Sequence, residues 1–191
     1  MPSGFVHDRI TLWSLPWIAG GTYYFTGNGG LTLILTGSFL FSGLMFGPDL
    51  DIHSLQFKRW GILRWIWLPY QKTLPHRSLF SHGFLIGTLV RSVYLSTFLA
   101  IFAFIIVAIV QLFSGIDWNW HQFAWQRLTL IRNEYRGEAI SLFLGLELGA
   151  SSHYLSDWFI SAYQTRRKKM TKTRPSSQRK RKSSLSKKKN R

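Results

Sequence analysis

Five of the six histidines and four of the eight acidic residues of this chain fall into four short clusters. They are His7-Asp8, then Asp49, Asp51 and His53, then His76 and His82, and finally His153 with Asp157. Imidazole and carboxylate groups are costly to bury in apolar protein unless a metal ion, a partner charge or a reaction uses them. The chain has no cysteine, so a metal must be held by nitrogen and oxygen alone. That donor chemistry suits a divalent ion.

Each cluster has a bland reading beside the chemical one. In HYLSD, His153 and Asp157 stand i, i+4 and share one helix face; alone, that pair favours a local hydrogen bond or salt bridge. In GPDLD, Asp49 and Asp51 follow an apolar helix that Gly47-Pro48 breaks, and an extended spacing of two points both carboxylates the same way. Two such acids need a cation, or else form a solvated turn. Asp8 suits a cap on the first helix, and also the orientation of His7 through its second ring nitrogen. His76 and His82 flank Arg77 and Ser81 at the mouth of a helix, where Arg77 suits an anionic substrate or developing negative charge. Together His7, Asp49, Asp51, His76, His82, His153 and Asp157 exceed what one tetrahedral ion needs. They permit two ions with a carboxylate such as Asp51 between them, and metal-assisted hydrolysis as the chemistry. A non-catalytic metal clip or a metal-handling role uses the same residues. Glu147 has no assigned role, and His121 reads as a solvated interfacial histidine.

The elements that must position these groups read as helices in a membrane. Ser92 to Phe113 carries no charge across 22 residues, enough to span a bilayer core. Ile10–Thr26 and Leu31–Gly47 are uncharged stretches of 17 residues, and Ala139–Ser152 is interrupted only by Glu147. The expected fold is all-α and polytopic, with about four membrane helices: Ile10–Thr26, Leu31–Gly47, Ser81–Gly115 and Gly137–Tyr163. The Gly27–Gly30 turn joins the first two, which at about 26 Å each suit a shallow hairpin as well as full spans. Residues 48–82 form a loop. Asp117–Arg136, with Trp118, Trp120, Phe123 and Trp125, reads as an interfacial stretch. A soluble helical protein with one buried helix is the alternative. No cleaved leader is expected, because His7-Asp8-Arg9 directly precede the first apolar segment and Pro16 interrupts it.

This up-and-down order puts every His/Asp cluster on one side. The same side holds 20 Lys/Arg, against three on the other, Arg127, Arg132 and Arg136. Arg91 is expected to snorkel to the interface. By the positive-inside tendency, the clusters and both termini face the cytoplasm. The formal charge of +16 is concentrated in the tail, where Arg166 to Arg191 include 14 Lys/Arg and no acid. The chain thus divides into a helical domain, 1–164, and a disordered polybasic tail, 165–191. Anionic lipid headgroups are the tail's first expected partner, at about 1 kcal/mol per basic residue near the surface. Nonspecific nucleic acid or ribosome contact is the second.

The segments SGFVHDRITLWSLP, FLFSGLMFGPDLDIHS, RWIWLPYQKTLPHRSLFSHG and HYLSDW carry a resemblance over residues 3 to 160. The chain resembles the bacterial membrane-bound metal-dependent hydrolases, a LexA-regulated inner-membrane group. It is most similar to their uncharacterised relatives described as metal-binding proteins. The resemblance implies a helical zinc site related in outline to phospholipase C and P1-nuclease-like enzymes, and a phosphoester substrate. In the hydrolase group the second histidine follows the first by five residues; here His82 follows His76 by six, leaving open which of the two takes the equivalent position. The helical HD phosphohydrolases and the acid-phosphatase-type lipid phosphatases do not fit the residue order.

Overall fold

A computed structural model describes residues 4–76, 78–115 and 119–172; residues 1–3, Arg77, 116–118 (with Asp117 and Trp118) and 173–191 lie outside the described residues. Every regular element among the described residues is helical. Helix α1 spans Gly4–Thr26 and contains Pro16 without ending there. It begins earlier than the apolar pattern suggests, so Asp8 sits inside the helix and is not its cap. The Gly27 amide, at a φ of 59° that favours glycine, closes α1 onto the Tyr23 carbonyl at 2.8 Å. The Asn28 side chain then accepts the Leu31 amide at 3.1 Å and starts helix α2, Gly29–Leu44. The two-residue link returns the chain along α1 as the glycine-rich turn predicts.

Helix α8, Arg136–Lys172, packs on α2 through small residues. Gly145 lies against Ser38 and the Leu35 carbonyl, and a β-carbon on Gly149 would stand 2.6 Å from Ser42 Cβ. Ser42 Oγ donates to the Leu146 carbonyl at 2.6 Å, and Gly43 leaves room for Thr11 of α1. Small residues spaced four apart let backbones approach where dispersion and hydrogen bonds must hold helices together, the packing style of membrane helices. This seam fixes α1, α2 and α8 as one stack.

Residues 48–82 are not a loop. They form a 3-10 turn Pro48–Asp51, helix α3 Leu55–Arg59, a second 3-10 segment Gly61–Trp67, helix α4 Leu68–Thr73 and helix α5 Leu79–His82. Phe46, Leu50, Phe57, Ile66, Trp67 and Tyr70 bury one another here, with Val90, Tyr94 and Leu146 packed against them. Trp67 is fully buried, and Trp60, Phe46 and Tyr94 surround it with ring centroids 5.1 to 5.7 Å away. Aromatic burial of that size overrides the weak helical pattern of the segment and folds it into a plug beneath the helix ends.

Helix α6, Ile86–Ser114, has 29 residues, and none of its most apolar stretch is buried. Among the described residues it is the one helix long and apolar enough to cross a membrane by itself; α2 is apolar but shorter. The all-helical class therefore holds, while the count of four spans is not established. Helix α7, Trp120–Asn133, falls in the stretch expected at the interface. Because α8 continues to Lys172, residues 165–172 extend a helix instead of opening a disordered tail.

Candidate metal centre

Leu50 explains how the DLD sequence presents two acids. Its side chain is fully buried in the aromatic plug, so Asp49 and Asp51 leave the turn on either side of it. Pro48 begins this 3-10 turn and Gln71 Nε2 locks it by donating to the carbonyls of Leu50 and Ile52 at 2.9 and 3.1 Å. At about three residues per turn, positions two apart diverge, unlike the extended arrangement the spacing suggested. The two carboxylates still converge on one ring: Asp49 Oδ1 is 3.7 Å from His82 Nε2, and Asp51 Oδ2 is 3.5 Å from His82 Nδ1.

From that ring the arrangement extends both ways. Asp51 meets His76 Nδ1 at 3.0 and 3.1 Å. Asp49 Oδ2 lies 3.4 Å from His153 Nε2. Asp157 Oδ2 is 3.9 Å from the same nitrogen, and Asp157 Oδ1 is 3.3 Å from His7 Nε2. The rings of His7 and His153 stack with centroids 3.9 Å apart. All seven expected ligands thus form one alternating series: His7, Asp157, His153, Asp49, His82, Asp51, His76. Within it, His7, His153 and Asp157 offer donor atoms all within 4.8 Å of one another, and so do Asp51, His76 and His82. Asp49, and not Asp51, stands between the two groups.

The distances and burial test whether a metal fits. Hydrogen bonds of this type run about 2.7–3.2 Å. An ion with bonds of about 2.0–2.2 Å in a tetrahedron spaces its donors about 3.3–3.6 Å apart. The gaps from His7 Nε2 to Asp157 and from His153 Nε2 to Asp49 are 3.3 and 3.4 Å, which match ligand edges. Both ring nitrogens of His153 and Asp157 Oδ1 are buried without a hydrogen-bond partner. Buried polar atoms are normally partnered, and a cation would satisfy His153 Nε2 and Asp157 Oδ1. The residues fit a divalent metal.

Electrostatics agree. Burial pushes the Asp49 carboxyl up, but the facing imidazoles of His153 and His82 outweigh it and hold the group well below the usual carboxylate range. Burial, and then His153, lower the His7 pKa against the opposing pull of Asp157, Asp49 and Asp8. His7 therefore stays neutral at pH 7 with a lone pair to offer.

Two serines orient the histidines. Ser156 Oγ is 2.5 Å from His7 Nδ1 and Ser81 Oγ is 2.9 Å from His82 Nδ1, so each Nε2 faces a carboxylate. Such partners of the second nitrogen fix the ring and tautomer of a ligand. Asp8, expected in that role at His7, instead forms a two-point ion pair with Arg59, at 2.8 Å between Nη1 and Oδ1. That bond raises the Arg59 pKa, and Arg59 also donates to the Leu44 carbonyl at 2.9 Å. The pair ties α1 to α3 and the end of α2. His53 is exposed and packs against Phe57, outside the series. Arg91, expected at the interface, is fully buried behind His82. Glu147 is buried too, accepting the Leu85 amide at 3.1 Å.

The family described as "Uncharacterized metal-binding protein (DUF2227)" matches residues 2–167. The chain belongs to this family. Its match spans the whole His/Asp series and all the helices that carry it, leaving most of the basic tail outside. A metal-binding protein is therefore the coarse identity of the chain. The hydrolase group of the sequence resemblance does not figure in this match, and no curated protein and no solved structure matches the chain.

Proposed function

We propose that this family member is an integral membrane, metal-dependent hydrolase that acts on a phosphoester at the cytoplasmic membrane face. Two divalent ions, zinc or manganese, would be held by His7, His153 and Asp157 on one side and by Asp51, His76 and His82 on the other. The observation that carries the reading is Asp49, whose two oxygens face a histidine of each group. Ions so held would supply Lewis acids that polarise a phosphoester and acidify water. The protein's own part is to orient His7 and His82 through the two serines and to keep Asp49 ionised. A cavity of about 20 Å³ beside His7, Asp49 and His153 has room for about one water.

Catalysis is preferred over a purely structural metal clip because the rim is open. The side chains of His76, Asp157 and Asp49 remain 31, 26 and 23% exposed. A structural site has every coordination position filled by protein. Arg77, outside the described residues, remains a candidate for stabilising developing negative charge by its residue type.

The membrane part of the proposal draws on α6, on the small-residue seam and on the outward aromatics of α1, including Trp13, Trp17, Tyr24 and Phe25. Apolar surface of this extent needs lipid or another protein as cover. The spans would be Ile10–Thr26 of α1, α2, α6 and the first part of α8, with both termini and the metal centre cytoplasmic and the basic tail on anionic headgroups. The test is elemental mass spectrometry of the detergent-purified protein beside an Asp49→Ala/His153→Ala variant. Stoichiometric zinc or manganese, lost in the variant, supports the site and justifies a phosphoester screen. No metal after repletion would sink the hydrolase reading.

A further inference from the structure

Arg91 is the largest charged side chain in the interior, with none of its surface exposed. A guanidinium cannot shed its proton, so this is a permanent cation inside an apolar body. None of the ion pairs among the described residues includes it. Its commitments are to hydrogen bonds: Nη1 donates to the Ser81 carbonyl at 2.7 Å, and Nη2 to Thr88 Oγ1 at 3.0 Å. The Phe46 ring lies 5.9 Å from the guanidinium carbon.

Ser81 links this cation to the metal centre. Its carbonyl takes the Arg91 bond while its hydroxyl meets His82 Nδ1 at 2.9 Å. His82 is the ring on which Asp49 and Asp51 converge. The turn that carries both residues is short, four residues long, and begins from a Ser78 cap. Such a turn has little stability of its own and takes its position from what grips it. Gly87, one turn before Arg91 on α6, is part of the grip: a β-carbon there would stand 2.8 Å from the Ser81 carbonyl and 3.3 Å from Tyr154 Oη.

We infer that Arg91 is a positioning residue for the Asp51–His76–His82 group, clamping the Ser81 carbonyl so that the adjoining hydroxyl holds His82 with Nε2 towards Asp49. The fork geometry matters more than the charge. A lysine ammonium has no planar pair of N–H groups to reach a carbonyl and a hydroxyl in fixed directions.

This inference rests on the two-ion reading, and the test separates the two. Purified protein is stripped of metal and titrated with cobalt(II), then zinc(II), with stoichiometry and the cobalt visible spectrum as readouts. Asp51→Asn marks the second group. If it removes no ion from the wild-type count, the two-ion reading fails and the Arg91 role falls with it. With that control in place, Arg91→Gln and Arg91→Lys are expected to weaken the ion that Asp51→Asn removes by about 10–100-fold, the usual effect of losing a residue that orients a ligand. The other ion keeps its affinity and spectrum, which shows that the fold persists. Should Arg91→Gln not fold, Gly87→Ala carries the test, since it displaces the same carbonyl with Arg91 intact, and the same selective loss is expected. A folded variant that keeps both ions within twofold of wild type, or loses both equally, overturns the proposal.

Discussion

Replacing Asp49 by Asn removes one charge and little volume, yet it touches both groups of the metal centre. The two oxygens of Asp49 stand 3.4 Å from His153 and 3.7 Å from His82. By contrast, Asp157 faces only His7 and His153, and Asp51 only His76 and His82. Losing even a residue that merely orients a ligand costs about 10–100-fold in metal affinity. A direct donor should cost at least about 100-fold, or about 2.7 kcal/mol at 1.36 kcal/mol per tenfold. For Asp49→Asn this applies at both ions, about 10⁴-fold in the product of the two affinities. Asp157→Asn and Asp51→Asn should each weaken one ion only. Competition titration against a chromophoric chelator gives the affinities, and elemental analysis after dialysis gives the count. Circular dichroism checks that the helices persist. If Asp49→Asn loses one ion like the other two variants, or neither, the placement of Asp49 between two sites is wrong.

Gly149→Leu should destabilise the α2–α8 seam by about 1–3 kcal/mol or more, because even a β-carbon meets Ser42 at 2.6 Å; thermal melts followed by circular dichroism read the drop. Arg59→Met strands Asp8, whose side chain is only 15% exposed, and should cost about 1–3 kcal/mol in denaturant unfolding. Asp8→Asn in the same chain should restore part of that loss. Deleting residues 173–191 removes nine Lys/Arg and should weaken binding to vesicles containing anionic lipid, by up to about 1 kcal/mol for each residue that reaches the surface. Binding unchanged by the deletion, or by raising salt to about 1 M, would exclude the tail as a headgroup anchor.

The α1–α2 turn and the gathering of the seven His/Asp residues at one end of the helical body were legible in the sequence because both follow from local signals. The Gly27-Asn28 link is read from residue type alone, and an up-and-down chain must return His7, Asp49, His82 and Asp157 to one end. The plug was not legible. Residues 48–82 have no clean period, and their structure comes from burying Trp67 and Tyr70 among residues distant in the chain. For the same reason the partners were misassigned. Asp8 is a good cap by type, but Arg59, 51 residues on, takes it first. A snorkelling Arg91 is a sound expectation for a lipid-facing helix, yet its first turns face the plug and Ser81. Ser156 could have been noticed beside Asp157 in HYLSD, but nothing local says that its hydroxyl meets His7.

The centre is sewn from the two ends of the helical body, since Ser156 reaches a histidine 149 residues earlier. At ribosomal speeds of about 5–20 residues per second, His7 waits about 7–30 s for that partner. Until α8 arrives, Asp49 lacks His153, and no metal affinity built on both exists. On the two-ion reading proposed above, loading of the His7–His153–Asp157 group would thus be a late step in the biogenesis of this protein. A chain interrupted before α8 would keep His76, His82 and Asp51 but never assemble the other half. If the two-ion reading holds, the ion count of a preparation would also report how many of its molecules were finished.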